Sequence, residues 1–309
     1  MVQYGKHSEY YQERLFVQSG PFFHLFTSPL ENDVLMDCDE DRTVILNMIA
    51  LISREARLEV LAYALMSNHI HIIFRGSELD GNAFFELLAK RLRRYLAGKG
   101  KAKCMAKLCC GIQSITTLKQ FRDEIAYVVR NPFVVREDIN LFAYRWCSGY
   151  LYFNALLDVK NGTPAKEIGY RERRRVTRSA DTFLPEDFRI ENGLILPESF
   201  VNYRLVESLF RDARQFMYWM LKNVEAQVEV ANRYNEMPHV SDDEMFLLSR
   251  QLCERQFGVK SPKDLQEQQK KELAIVLRNQ YHASNGQLCR YTGLSKNVIN
   301  TLYPLTAKQ

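Results

Sequence analysis

Two histidines separated by a single residue, His69 and His71, stand inside an apolar, β-branched run of the sequence. Side chains alternate between the two faces of a β-strand, so the two imidazoles share one face while Ile70 and Ile72 share the other. Two imidazoles about 7 Å apart on one side of a strand form half of a metal site. The alternative is a pair of hydrogen-bonded core histidines, and the spacing alone does not decide between the two.

A tyrosine and an asparagine further along the chain supply what the histidine pair lacks. Tyr127 and Asn131 are four residues apart in a segment of helical character, so they lie on one helical face about one turn apart. A free phenol has a pKa of about 10, and ionising it at pH 7 costs about 4 kcal/mol. A metal held by His69 and His71 can polarise a phosphoryl oxygen under attack by that phenol. The amide oxygen of Asn131 is a hard donor that Mg²⁺ or Mn²⁺ accepts. The alternative for Tyr127 is one core aromatic among sixteen tyrosines.

Three blocks of sequence, in order, resemble the signature blocks of the single-tyrosine HUH transposases. They are YALMSNHIH at 63–71, YVVRNPFVV at 127–135 and YRWCSGY at 144–150. The resemblance covers roughly residues 15–155. An asparagine four residues after the tyrosine is typical of the REP-associated tyrosine transposase branch. Ser67 stands where the family usually has proline, and the first strand lacks the arginine often found at its end.

The resemblance implies a fold, a catalytic set and a substrate. In this family the two histidines, here His69 and His71, hold a metal, with Asn131 in the place of a third ligand. Tyr127 would attack a DNA phosphate, leaving a 5′-phosphotyrosine link and a free 3′-OH. The substrate would be single-stranded or hairpin DNA, the metal Mg²⁺ or Mn²⁺, and the oligomer a monomer or a homodimer.

The pattern of apolar residues predicts an α+β fold for the first half of the chain. Strands are expected at 22–27, 58–66, 69–75 and 109–116, and helices at 39–57, 81–97 and 117–130, the last ending before Asn131-Pro132. The resulting order, β-α-β-β-α-β and a further helix, matches a ferredoxin-like antiparallel sheet with helices on one face.

Composition predicts three segments. Residues 1–157 would form the catalytic domain, 158–198 a basic linker and irregular segment, and 199–309 a helical C-terminal DNA-binding domain. A helix is expected at 200–234, and four more at 242–257, 266–281, 283–290 and 295–303. Within this all-α region, residues 286–299 have the shape of a helix-turn-helix, with Gly293 at the turn and Ser295 as a helix cap. A generic helical hairpin is the alternative.

Basic residues concentrate in two short regions outside the apolar segments, which favours contact with a phosphate backbone. A solvated helix face and a flexible linker are the alternative explanation. The candidate DNA-binding residues are Lys90, Arg91, Arg93, Arg94, Arg173, Arg174 and Arg175, together with Lys296 and Asn297 of the helix-turn-helix.

Composition also narrows the function class. No apolar run reaches the length of about 18 residues that a membrane span requires, and the first residues lack a secretory signal. The seven cysteines are an odd number without a Cys-x-x-Cys pair, which favours a cytoplasmic location. The net charge of +5 permits nucleic-acid binding. Two other functions remain possible at this point: a non-cleaving DNA- or RNA-binding regulator, and a metal hydrolase, which would leave Tyr127 unexplained.

Overall fold

The computed structural model describes residues 8–27, 34–106, 108–135, 144–157, 161–222 and 242–304. The chain divides into two compact units, one made of Met1–Phe133 and Asp138–Lys222 and the other of Val134–Glu137 and Asn223–Gln309. The structure confirms a mixed α/β protein with antiparallel sheets and many helices. Among the described residues, no helix is long and apolar enough to cross a membrane.

The first unit is built around a four-stranded antiparallel sheet in the order β2-β3-β1-β4. Helix α2 connects β1 to β2, α3 connects β3 to β4, and α1 and α4 flank this arrangement in sequence. The bounds are α1 Glu9–Ser19, β1 Phe22–Thr27, α2 Asp39–Glu55, β2 Glu59–Leu65, β3 Ile70–Arg75, α3 Glu78–Gly98, β4 Cys110–Ile115 and α4 Leu118–Val135.

Helices cover both faces of this sheet, so the prediction of helices on one face is wrong. On one face, the ring of Phe74 from β3 lies directly beneath Gly81 of α3. On the opposite face, Phe22 of β1 packs against Phe121 of α4, with ring centroids 5.0 Å apart. Phe16 of α1 contacts both of these rings. The helix that follows β4 thereby buries the sheet face that the α2 and α3 pair leaves open.

Helix α4 continues through Asn131-Pro132 to Val135, beyond the end predicted from the sequence. A proline lacks the N–H that would bond the carbonyl four residues earlier, which here is Val128. The thiol of Cys147 lies 3.7 Å from that carbonyl oxygen and 3.7 Å from the Val129 carbonyl oxygen, and it donates to this pair of acceptors. Burial raises the pKa of this thiol to about 12, which keeps it protonated as a donor. Cys147 of the third sequence block thereby supports the helix at its proline.

The link between α2 and α3 is a buried carboxylate. Asp41, in the first turn of α2, accepts hydrogen bonds from Tyr95 and Lys99 near the end of α3. Burial alone would raise the pKa of Asp41, but the bonds from Lys99, Tyr95 and the backbone of Asp37 hold that pKa well below its usual value. Asp41 is therefore ionised at neutral pH and ties the two helices together.

The segment predicted as a basic linker is instead packed onto the first unit. It contains β5 (Thr163–Pro164), α5 (Tyr170–Thr177), β6 (Arg189–Glu191) and β7 (Leu194–Ile195), and the three strands form a second sheet in chain order. Its apolar side chains belong to the same core as the first sheet, and they include Phe188, Ile190, Leu194 and Ile195.

One polar side chain fastens this segment to α2. The Asn47 amide nitrogen donates to the Gly193 carbonyl at 2.8 Å, and its oxygen accepts from the Ile195 N–H at 2.7 Å. Asn47 is 2% exposed, so these two hydrogen bonds and a longer third one to the Val176 carbonyl are shielded from water.

The predicted helix at 200–234 is divided in the structure. Helix α6 (Tyr203–Ser208) and helix α7 (Ala213–Lys222) are separated by residues 209–212, and residues 223–234 lie outside the described part of the chain. Both helices belong to the first unit, so the boundary between units falls after the predicted position of 199.

In the second unit, the described residues form four helices around their own core. They are α8 (Asp242–Phe257), α9 (Glu267–Tyr281), α10 (Asn285–Thr292) and α11 (Lys296–Leu302). Gly293 adopts a left-handed conformation with φ of 72° between α10 and α11, where other residues would be strained. The Ser295 hydroxyl caps α11 by accepting from the Val298 N–H. Leu288 and Ile299 join the helices in one buried cluster.

Candidate active site

His69 and His71 share one side of the sheet, as strand alternation predicts. His71 lies in β3, and His69 lies just before this strand. The carbonyl oxygen of His69 accepts a hydrogen bond from the N–H of Met66. The two rings are perpendicular, with centroids 4.9 Å apart. The tight connection between β2 and β3 positions the first ring, and the strand positions the second.

The hydrogen bond of the His69 ring indicates where that ring carries its proton, whereas the partner of His71 is another imidazole that can donate or accept according to its tautomer. The Nδ1 atom of His69 lies 2.7 Å from Oδ1 of Asn68, an atom that can only accept, so Nδ1 carries the proton. The Nδ1 atom of His71 lies 3.1 Å from Nε2 of His24, a residue of β1. A ring protonated on Nδ1 presents its lone pair at Nε2, the atom it would offer to a metal.

Both imidazoles are neutral at physiological pH. Burial lowers the pKa of His69 to about 4. The pKa of His71 lies well below its usual value, first because the ring is completely buried and then because His69 and His24 are close. Neutral imidazole is the form that binds metal.

Helix α4 brings the predicted tyrosine and asparagine to the same place. The Tyr127 ring is perpendicular to the His71 ring, with centroids 5.5 Å apart. The amide nitrogen of Asn131 lies 3.1 Å from Nε2 of His71. Tyr127, Asn131 and His69 are 7%, 8% and 8% exposed, whereas His71 has no exposed surface. The structure therefore assembles all four side chains within one chain.

These residues fit a hard divalent cation. Two ligands at about 2.1 Å from Mg²⁺, at right angles, lie about 3 Å apart, close to the separation of His71 Nε2 and the Asn131 amide. Rotation of that amide would present its oxygen. The described residues contain no group of three or more His, Cys, Asp or Glu side chains arranged to hold a metal, so a cation bound by the two histidines would take Asn131 as its third protein ligand.

Two residues of the site were absent from the sequence prediction, His24 and Glu124. His24 lies in β1, beside β3, and its Nδ1 atom is 2.9 Å from Oε2 of Glu124. Glu124 lies on the face of α4 that carries Tyr127 and Asn131, three and seven residues before them. The helical spacing was a usable signal for Glu124. The place of His24 depends on the pairing of β1 with β3, which the sequence does not specify.

The predicted DNA-binding residues of the first unit divide into exposed and structural groups. On α3, Lys90, Arg93 and Arg94 are exposed, while Arg91 donates to Glu55 at 2.5 Å. On α5, Arg174 and Arg175 are exposed, and the Arg175 guanidinium lies against Gly193.

Arg173 has a structural position. Its guanidinium donates to the carbonyls of Ala165 and Ile168 at 2.6 and 2.8 Å, within its own segment. In the second unit, Lys296 and Asn297 are exposed in the first turn of α11. These contacts separate Arg91 and Arg173 from the exposed candidates.

Comparisons with known proteins give one structural similarity. No protein-family model matches the chain, and no curated protein matches it. A solved structure of a REP-associated tyrosine transposase bound to a REP hairpin matches at 14% identity with a TM-score of 0.35. The match covers 43% of this chain and 78% of the other. A similarity of this size carries no argument about residues, ligands or activity.

Proposed function

We propose that the protein is a transposase-like enzyme that nicks and rejoins single-stranded, hairpin-bearing DNA through Tyr127. The observation that carries the proposal is the convergence of His69, His71, Tyr127 and Asn131 in one chain, where three different elements deliver the four side chains. The order of the sequence blocks and the strand order β2-β3-β1-β4 support a ferredoxin-like catalytic domain of the single-tyrosine HUH type.

The chemistry follows from these residues. The Tyr127 oxygen bonds to the phosphorus of a DNA phosphodiester and loses its phenol proton, and the bond from phosphorus to the 3′-oxygen breaks. That oxygen takes up a proton and leaves as a 3′-OH, and the 5′-phosphate stays on the tyrosine. A 3′-OH attacks the same phosphorus in the reverse direction, which restores the phosphodiester and the phenol. The bond is exchanged between two oxygens, so no energy cofactor is consumed.

A divalent cation, Mg²⁺ or Mn²⁺, would be held by His69, His71 and Asn131. When bound, it would supply positive charge at the phosphoryl oxygen under attack. The neutral state of His69 and His71 prepares both rings for that role. Because one chain carries the complete set, a homodimer is not needed to build the site.

The second unit is proposed to recognise DNA through a helix-turn-helix made of α10 and α11. The left-handed Gly293 and the Ser295 cap provide the turn, and exposed Lys296 and Asn297 provide polar groups for a groove. The exposed arginines of α3 and α5 would contact phosphates.

A non-cleaving DNA- or RNA-binding regulator is the second candidate. The observation in its favour is the burial of the site, since none of the four side chains is more than 8% exposed. Such a protein would bind hairpin DNA and never form a covalent bond with it.

The test is a covalent-adduct assay. Labelled hairpin-bearing single-stranded DNA is incubated with the protein and Mg²⁺ or Mn²⁺, then resolved on a denaturing gel. We expect an adduct with the wild type and none with Tyr127→Phe, which should still bind the DNA. Tyr170→Phe, at a tyrosine that is 61% exposed and away from the site, is the matched control and should form the adduct. An adduct that persists in Tyr127→Phe would overturn the nucleophile assignment. Binding by the wild type without any adduct would favour the regulator.

A further inference from the structure

We propose that Glu124 and His24 are positioning residues that fix the tautomer of His71, so that its Nε2 atom offers a lone pair to the metal. The benefit of this tautomer rests on the proposed function, because that function places a metal at His71. The tautomer itself is measurable without metal or DNA.

A continuous chain of hydrogen bonds runs from Glu124 to Asn131. Oε2 of Glu124 lies 2.9 Å from Nδ1 of His24, and Nε2 of His24 lies 3.1 Å from Nδ1 of His71. Nε2 of His71 then lies 3.1 Å from the amide nitrogen of Asn131. Three elements contribute to this chain: α4 at both ends, and β1 and β3 between them.

Burial distinguishes this arrangement from ordinary surface pairing. Glu124, His24 and His71 all have 0% exposure. Burying a carboxylate and two imidazoles between a sheet and a helix costs free energy unless their polar atoms form hydrogen bonds. Apolar side chains would fill the same space without this desolvation cost. A purely structural role gives no reason for this choice of residues.

The proposed direction of the hydrogen bonds begins at the carboxylate of Glu124. A carboxylate accepts and cannot donate, so Nδ1 of His24 carries a proton that it donates to Glu124. In the proposed arrangement, Nε2 of His24 accepts the hydrogen bond from Nδ1–H of His71. His71 is thereby left with its lone pair on Nε2.

If the hydrogen bonds ran in the opposite direction, His71 would carry its hydrogen on Nε2. A ring with hydrogen on Nε2 cannot ligate through that atom. Glu124 therefore acts on the metal site through the rings of His24 and His71. In many metal sites a carboxylate accepts a hydrogen bond directly from the ligating histidine, and here one further imidazole stands between them.

The experiment uses full-length, metal-free protein with ¹⁵N-labelled histidine. The ¹⁵N shifts and couplings of an imidazole report which nitrogen carries hydrogen. The six histidines are few enough to assign by single substitutions, including His71→Gln to identify the His71 signal. We expect Nδ1–H on His71 in the wild type. An Nε2–H tautomer there would overturn the proposal, even if no variant folds.

Two substitutions then test the cause. Glu124→Gln can present an amide N–H to His24, so we expect the His71 signal to move towards Nε2–H. We also expect Mn²⁺ affinity, measured by titration, to fall about 10- to 100-fold, as for other residues that support metal ligands. Asp123→Asn is the matched control on the same helix, because Asp123 bonds Lys119 and Trp219 instead. It should change neither the tautomer nor the affinity. An unchanged tautomer and affinity in Glu124→Gln would overturn the proposal.

Two substitutions of His24 distinguish a hydrogen-bonding role from a packing role. His24→Gln keeps an acceptor for His71 Nδ1–H and should retain most of the Mn²⁺ affinity, whereas His24→Leu should lose it. Equal affinity in both variants would overturn the role of His24.

The outcomes also separate this inference from the proposed function. If the tautomer depends on Glu124 but no phosphotyrosine adduct forms, the positioning role stands and the transposase function fails. If Glu124→Gln forms the adduct as well as the wild type and keeps its metal affinity, the positioning role fails and the transposase function stands.

Discussion

The ring of Tyr127 is perpendicular to the ring of His71 in the same chain, 5.5 Å away between centroids. If Tyr127 is the nucleophile and His71 a metal ligand, as proposed, their proximity within one chain predicts an active site in cis. Mixing Tyr127→Phe with His71→Ala protein should therefore restore no covalent DNA adduct. The measurement is the denaturing gel, with each variant alone as the baseline. Recovery in the mixture would show that two chains exchange the tyrosine helix.

The three proposed metal ligands should differ in how strongly their substitution weakens metal binding. His69→Ala or His71→Ala removes one of the two proposed imidazole ligands and should weaken Mn²⁺ binding at least about 100-fold. This loss should exceed that caused by substituting Glu124, which would act on the metal only through other residues. Asn131→Asp keeps a hard oxygen donor and should bind Mn²⁺ at least as tightly as the wild type. Titration followed by electron paramagnetic resonance measures these affinities.

The control for the metal ligands is His282→Ala, at an exposed histidine of the second unit, which should behave as the wild type. Unaltered Mn²⁺ affinity in both histidine variants of the site would contradict the ligand assignment.

Two glycines of α3 provide a matched pair for testing the packing of this helix on the sheet. A Cβ at Gly81 would stand 2.6 Å from the buried Phe74 ring, so Gly81→Ala should destabilise the protein by about 1–3 kcal/mol. A Cβ at Gly98 would meet no atom within 4 Å, so Gly98→Ala should stabilise it by up to about 1 kcal/mol through helix propensity. Urea unfolding measures both. Equal effects would mean that α3 does not sit this closely on β3.

Asp41 should make stability depend on pH in the acid range. Its folded-state pKa is lowered, so its contribution is complete above the unfolded value of about 3.9 and is lost as the pH falls through the folded value. Asp41→Asn should lower the free energy of unfolding by about 2 kcal/mol at pH 7, and the difference should shrink below about pH 4.

Denaturant titrations at several pH values measure that difference. Asp187→Asn breaks an exposed ion pair with Arg54 and serves as the control, with an expected effect below about 1 kcal/mol. A difference for Asp41→Asn that stays constant down to pH 3 would contradict the assigned role.

The arginines of α3 and α5 should separate into DNA-binding and structural residues. Arg94→Gln and Arg174→Gln, at exposed positions, should weaken the binding of hairpin DNA. Each should also reduce the magnitude of the slope of log K against log salt concentration by about one. Arg173→Gln should instead lower stability by about 1–3 kcal/mol, because it removes the donors to two backbone carbonyls. Filter binding at several salt concentrations and thermal unfolding distinguish the two outcomes.

The site was more predictable than its surroundings, for physical reasons. Strand alternation places His69 and His71 together, and helical periodicity does the same for Tyr127 and Asn131, because both patterns are local. His24 joins them only through the register of β1 against β3, a long-range pairing that no local pattern encodes.

The packed segment around β6 and β7 was missed for a related reason. Its strands are three and two residues long, too short for alternation to show, and its buried apolar residues stand near arginines that suggest a linker. The extension of α4 through Pro132 was missed because Cys147, which bonds the carbonyl released there, is distant in sequence.

The edge of the first sheet has a consequence for how the protein avoids self-association. Strand β2 is an outer strand made almost entirely of apolar residues, EVLAYAL. Val201 and Asn202 pair with it at Val60, and Trp146 and Cys147 pair with it at Leu65 and Ala64. An uncovered strand of this composition is a template for intermolecular β-pairing and aggregation. A polypeptide that stops at residue 157 would lack the cover at Val60, so the smallest piece that folds without aggregating should extend beyond Asn202.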